Sequence, residues 1–191
     1  MSFEAQLLDA INAVRSNPKL FADRIKENKK YFSGKIWKHP DIPRGIETAE
    51  GEKAYDDAIM YLKNKAKPVP KLVPSKGLCQ MAGEFLAEYQ RDQNAEPDLD
   101  AAIDRYGKVE GYIKRLVEYG AHSPEQVVIN LVVGDGDKGR GLREALLLKD
   151  LAAVGVASGP HEQMRSCTVI VGVTKFVNTN DSNDLIVLWG Y

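Results

Sequence analysis

The chain changes its period about two thirds of the way along, and this change limits the possible folds more than any other feature. Before it, apolar residues recur at helical spacing. The clearest run is Leu78, Met81, Ala82, Phe85, Leu86 and Tyr89, at i, i+3, i+4 and i+7, which marks an amphipathic helix with its stripe in the core. After it, AAVGVASG and TVIVGVTKF are rich in β-branched residues punctuated by glycine, and DLIVLWG follows the turn-prone NTNDSND. These three segments read as antiparallel strands. Helices first and strands last predict helical layers on a small sheet, and 191 residues suit one well-cored domain.

The other helices follow from capping and spacing. Phe3, Leu7, Leu8, Ile11 and Val14 form one stripe; Ser16-Asn17-Pro18 then stops that helix and starts a second, which turns Leu20, Phe21 and Ile25 inward. A third helix is expected over 52–65. The prolines of KPVPKLVPSKG then force extended backbone up to a cap at Ser75. A short helix carries Leu99, Ile103 and Tyr106, with Gly107 expected at its left-handed C-terminal cap. In HSPEQVVINLVV, Ser123, Pro124 and Gln126 form a capping box that starts a helix over 124–133. Residues 33–50 contain Gly34, Pro40, Pro43 and Gly45 and read as a long ordered loop held to the core by Tyr31, Phe32, Ile36, Trp37 and Ile42.

Groups that could carry chemistry are few. His39, His122 and His161 are far apart in sequence, without the local spacing of a zinc site, so no metal site is expected. Cys79 and Cys167 have no basic neighbour in sequence and read as small core residues. DGDKGRG invites a calcium or a phosphate reading. Counted from Asp135, the twelfth position of a calcium loop falls on Leu146 instead of glutamate, and the phosphate-loop lysine-serine or lysine-threonine ending is missing. A solvated turn is the expectation, and it leaves one oddity: the turn delivers a leucine, Leu142, into the following helix.

Lysine and arginine (26) balance aspartate and glutamate (27), which removes the basic footprint that nucleic acid or an anionic membrane would need. The first residues, MSFEAQLLDAINAV, read as a folded helix and not as a secretory leader. No apolar run reaches membrane-spanning length, so a cytoplasmic setting is expected, with association to a cilium or cytoskeleton compatible with it.

Over residues 105–161, RYGKVEGYIKRLVEYGAHSPEQVVINLVVGDGDKGRGLREALLLKDLAAVGVASGPH resembles the CAP superfamily of cysteine-rich secretory, antigen-5 and pathogenesis-related proteins, most closely its protist-type and bacterial members. LLDAINAVRSNPKLFA and EGEKAYDDAIMYLKNKAKPVPKLVPSKGLCQMA resemble that family's first helices. The resemblance implies an α/β fold, an α-β-α sandwich with a small, mainly antiparallel sheet between helical layers, as one domain over 1–191 with a long helical N-terminal segment. It also implies a cleft of two histidines and two acidic residues that binds metal in some members. Here the matching positions hold Phe85, Arg115 (in Lys114-Arg115-Leu116-Val117) and Leu142, and Ile113 stands where a cysteine would pair with Cys167. Phenyl, guanidinium and isobutyl groups do not ligate divalent cations, so no cofactor and no catalytic residue is expected at these former cleft positions. The expected function is a non-catalytic, intracellular binding or scaffolding module with a protein partner. Lipid or sterol binding is the alternative, and a metal-dependent hydrolase with ligands restored by His122 or His161 the more distant one.

Overall fold

A computed structural model of the chain describes residues 1–178. Within them the elements run α1 (Phe3–Ser16), α2 (Pro18–Asn28), β1 (Phe32–Ser33), β2 (Ile36–Trp37), β3 (Ile46–Glu47), α3 (Glu52–Asn64), β4 (Val73–Pro74), α4 (Lys76–Arg91), α5 (Leu99–Tyr106), β5 (Gly107–Tyr119), α6 (Pro124–Val133), α7 (Gly141–Leu146), β6 (Ala153–His161) and β7 (Arg165–Asn178). The strand expected in DLIVLWG, and Trp189, Gly190 and Tyr191 with it, lie outside the described residues. No helix among the described residues is long and apolar enough to cross a membrane.

The fold is α/β. Its main sheet has the order β4-β6-β7-β5, antiparallel except for the short parallel pair β4–β6. Strand alternation sends successive side chains to opposite faces. On one face Leu116, Ile170, Val154 and Val156 join α1, α3 and α6; on the other Val169, Val171, Val173 and Ala153 pack under α4. The result is helix, sheet, helix.

The close approach of α4 depends on Gly155. A β-carbon there would stand 2.0 Å from the backbone carbon of Leu78, so only glycine lets the helix rest on the strand. Gly155→Ala is expected to lift α4 off β6 and to destabilise the protein by about 2 kcal/mol, the scale of core overpacking, measured by urea denaturation.

Several expectations are met at the level of caps. Asn17 caps α2 through its side chain with Pro18 in the first turn, and Ser123 Oγ accepts the Gln126 amide at 3.2 Å. Others need correction. Leu20 is 56 % exposed, because the buried stripe of α2 runs Pro18, Phe21, Ala22, Ile25 and leaves Leu20 outside it. Ser75 precedes α4 but gives it no side-chain cap; its hydroxyl bonds Asn178 Oδ1 at 3.1 Å. Gly107 is extended, at φ 161°, and opens β5; a β-carbon there would lie 2.4 Å from the Val177 carbonyl oxygen, so packing and not a left-handed cap requires glycine. Residues 33–50 are more ordered than a loop: β1, β2 and β3 form a small antiparallel sheet, with Trp37 and Ile42 buried, Tyr31 and Phe32 half-buried and Ile36 exposed.

Candidate functional site

The small sheet lies over the end of α6 and β5, and between them is a cavity of about 350 Å³. Its apolar wall includes Trp37, Ile42, Ile46, Leu131 and Leu142; its polar wall includes Glu118, Gln126 and Asn130.

The turn expected to be merely solvated closes this cavity. Asp135 accepts the Ala49 and Glu50 amides at 2.7 and 2.8 Å; Glu50 in return accepts the Gly136 amide and a two-pronged contact from Arg140 at 2.7 and 2.8 Å. Hydrogen bonding from Arg140 and the Gly136 amide pulls the Glu50 carboxyl down to about 2. Asp137 accepts the Gly139 and Gly141 amides, which fixes the entry to α7. The charged groups of DGDKGRG thus latch the turn to the loop after β3. Leu142, half-buried at the start of α7, packs on the core and forms part of the cavity wall.

Glu118 is the unusual group in this wall. It alternates with Val117 on β5 and shares the face of Leu116, where a carboxylate is 7 % exposed. A line of side chains leads to it. Tyr55 Oη donates to Asn28 Oδ1 (3.3 Å), Asn28 Nδ2 to Gln126 Oε1 (3.0 Å), Gln126 Nε2 to Asn130 Oδ1 (2.7 Å), and Asn130 Nδ2 to Glu118 Oε1 (2.6 Å). Glu118 Oε2 is buried with no hydrogen-bond partner among the described residues. Burial outweighs the Asn130 hydrogen bond and the pull of the nearby Ala121 backbone amide, and pushes the carboxyl up to about 7. Gln126 gives its side chain to this line and not back to Ser123, so the expected capping box is only half made.

Phe85, Arg115 and Leu142, the positions that the CAP resemblance aligns with a cleft, do not form one site. The Arg115 guanidinium stacks over the rings of Phe85 (5.1 Å) and Tyr89 (5.7 Å) and donates to the Pro97 carbonyl at 3.1 Å. Phe85 is fully buried on the inner face of α4, whereas Leu142 packs with the cluster across the sheet. None of the three offers a metal a donor atom, so the metal held by some CAP proteins does not fit these residues. Ile113 pairs with Val173 while Cys167 pairs with Tyr119, so the two positions that the resemblance links by a disulfide lie at different places along β5 and β7. Cys167 is buried, and burial pushes its thiol up to about 11; Cys79 is half-buried. Both read as packing groups.

The structure does unite two of the scattered histidines. The His39 and His122 rings lie 4.3 Å apart beside the cavity, with Asp41 against both; His161 sits elsewhere, edge-on to Tyr119. Sequence spacing could not show this pairing, because it depends on how residues 33–50 fold back over the approach to α6. Burial, and then the neighbouring His39, hold His122 below the ordinary histidine range.

No family model and no curated protein matches the sequence. Among solved structures, an outer surface protein from Borrelia burgdorferi is similar at 14 % identity and TM-score 0.45, over 56 % of this chain and 80 % of that one. A cysteine-rich secretory protein from Staphylococcus aureus is similar at 16 % identity and TM-score 0.44, over 64 % of this chain and 37 % of that one. Similarity of this degree bears on neither function nor family membership.

Proposed function

We propose that the chain is a non-catalytic binding domain whose site is the cavity between the small sheet and α6, and that its ligand is a small, largely apolar molecule carrying a hydrogen-bond-donating group. The observation that carries this reading is the buried, unpartnered Oε2 of Glu118 in the wall of a cavity that also presents Trp37, Ile42, Leu131 and Leu142. A buried acceptor without a partner is costly; Glu118 Oε2 is itself closed to solvent, so a ligand donor satisfies it once the Glu118 side chain turns toward the cavity. The cavity volume falls within the range of small-molecule sites, about 300–1,000 Å³.

This reading differs from a protein scaffold in where the apolar surface lies. The exposed large apolar residues Met1, Leu20, Ile36, Ile46, Met60, Val73, Tyr112 and Met164 are spread over several elements, whereas Trp37, Ile42, Leu131 and Leu142 converge on one cavity. The lipid alternative shares the apolar wall but needs no donor opposite Glu118.

Titrating the full chain with cyclohexylamine, followed by calorimetry, is expected to give saturable binding that Glu118→Gln weakens roughly tenfold or more, the scale of a charge-assisted hydrogen bond. Leu142→Trp is expected to abolish it by filling the cavity. Equal affinity in both variants and the parent, or no saturable binding, would contradict the proposal. Binding of a fatty acid that is indifferent to Glu118→Gln would favour the lipid alternative.

A further inference from the structure

We propose that His39, Asp41 and His122 form a binding site for a divalent transition-metal ion of the zinc class, separate from Phe85, Arg115 and Leu142. The sequence keeps the two histidines apart, but the fold brings one donor atom from each of the three residues to within 4.8 Å of one another. The Asp41 carboxylate oxygen lies 3.3 Å from His39 Nδ1 and 3.9 Å from His122 Nε2. Zinc held tetrahedrally with bonds of about 2.0–2.1 Å separates its ligands by about 3.3 Å, so small side-chain rotations complete the contact. Two imidazoles and one carboxylate are a donor set suited to zinc and its neighbours, and not to calcium or magnesium, which take oxygen ligands. Three protein ligands leave a fourth position for water.

The histidines are held in place by aromatic packing. Trp37 stacks on His39 with ring centroids 5.4 Å apart and planes 17° apart, Tyr31 meets His39 edge-on at 4.6 Å, and Trp37 lies 5.8 Å from His122. Trp37 is itself fixed by donating Nε1–H to the Asn28 carbonyl at 3.1 Å. His39 Nδ1 faces both the Asp41 amide, at 3.2 Å, and the Asp41 carboxylate, at 3.3 Å, and would exchange the long amide contact for the metal. His122 Nδ1 is buried without a partner, so nothing in the described residues fixes its tautomer against coordination. Of the charged residues lining the adjoining hollow, Arg24 and Lys30 are matched by Glu27 and Glu125, and the hollow of about 200 Å³ leaves access for an ion.

Glu118 is not among its ligands, although His122 also lines the cavity, so Glu118→Gln should leave zinc binding at parental affinity. The test is equilibrium dialysis and calorimetry of the untagged full chain with zinc chloride after chelator treatment. One zinc per chain is expected, bound at micromolar concentration or tighter, with a rise in thermal midpoint. His122→Ala and Asp41→Asn should each weaken binding by roughly tenfold or more, while His161→Ala should not. Asp41 is exposed, so Asp41→Asn should leave folding intact and keeps the test decisive if His122→Ala is unstable. Absence of saturable zinc binding, or parental affinity in Asp41→Asn and His122→Ala, overturns the proposal.

Discussion

Replacing Arg15 with methionine is expected to lower the unfolding free energy by about 4 kcal/mol and the thermal midpoint by about 10 °C. Arg15 is fully buried on α1, yet no carboxylate among the described residues pairs with it. Its guanidinium donates to four backbone carbonyls instead: Pro70 (2.9 Å), Leu146 (2.7 Å), Leu148 (3.0 Å) and Leu151 (3.2 Å). One side chain therefore ties the first helix to the proline-rich extended segment and to the segment between α7 and β6. Leu146, the last residue of α7, is a helix end whose carbonyl needs a donor and whose dipole favours a cation. Desolvation pulls the Arg15 pKa down to about 10, which still leaves it charged at neutral pH. Methionine fills part of the volume but leaves those carbonyls buried without donors, at roughly 1–3 kcal/mol each before relaxation. Arg15→Lys keeps the charge but not the planar fork, so it should recover only part of the loss. A methionine variant within about 1 kcal/mol of the parent in urea denaturation, the scale of a single hydrogen bond, would show that the carbonyls are satisfied without the arginine.

The second large effect concerns pH. Folding raises the Glu118 carboxyl from 4.5 to about 7, so between those values the folded chain holds a proton that the unfolded chain has released. Stability from this group is complete below 4.5, falls as pH rises toward 7, and is lost above it. The full shift corresponds to as much as about 3 kcal/mol. Glutamine imitates the protonated acid and can still accept from Asn130. Glu118→Gln should therefore match the parent at pH 4, and at pH 8 exceed it by up to that amount. Denaturation series at both pH values check this, and parallel stability profiles for the two proteins would contradict the assigned burial penalty.

The helices were legible because each carries its own signal. Asn17-Pro18 and Ser123-Pro124 mark starts by local hydrogen bonding, and the Leu78 to Tyr89 stripe marks a buried face by period alone. The small sheet of β1, β2 and β3 was not legible, since its strands are two residues long and too short to show alternation. The thirteen-residue β5 was missed for a different reason: its register shifts between Glu110 and Ile113 around Gly111, which breaks the alternation of KVEGYIKRLVEY into two short halves. Leu142 could be singled out as an odd residue from the turn before it. Glu118 could not, because its significance depends on Asn130 and on the face of β5 that meets α6. Arg15 carries no signal of its own in the sequence, and only the positions of distant carbonyls make it a clamp.

Side-chain amide resonances report whether a donor sits against Glu118 in the cavity. Asn130 bonds Glu118, and Gln126 bonds Asn130, so a donor seated on Glu118 Oε2 must disturb both amides. Adding cyclohexylamine to nitrogen-15-labelled protein should shift the Asn130 and Gln126 side-chain signals in a saturable way, and Leu142→Trp should remove the shifts. Saturable shifts confined to other parts of the chain, with these two amides unmoved, would contradict the account.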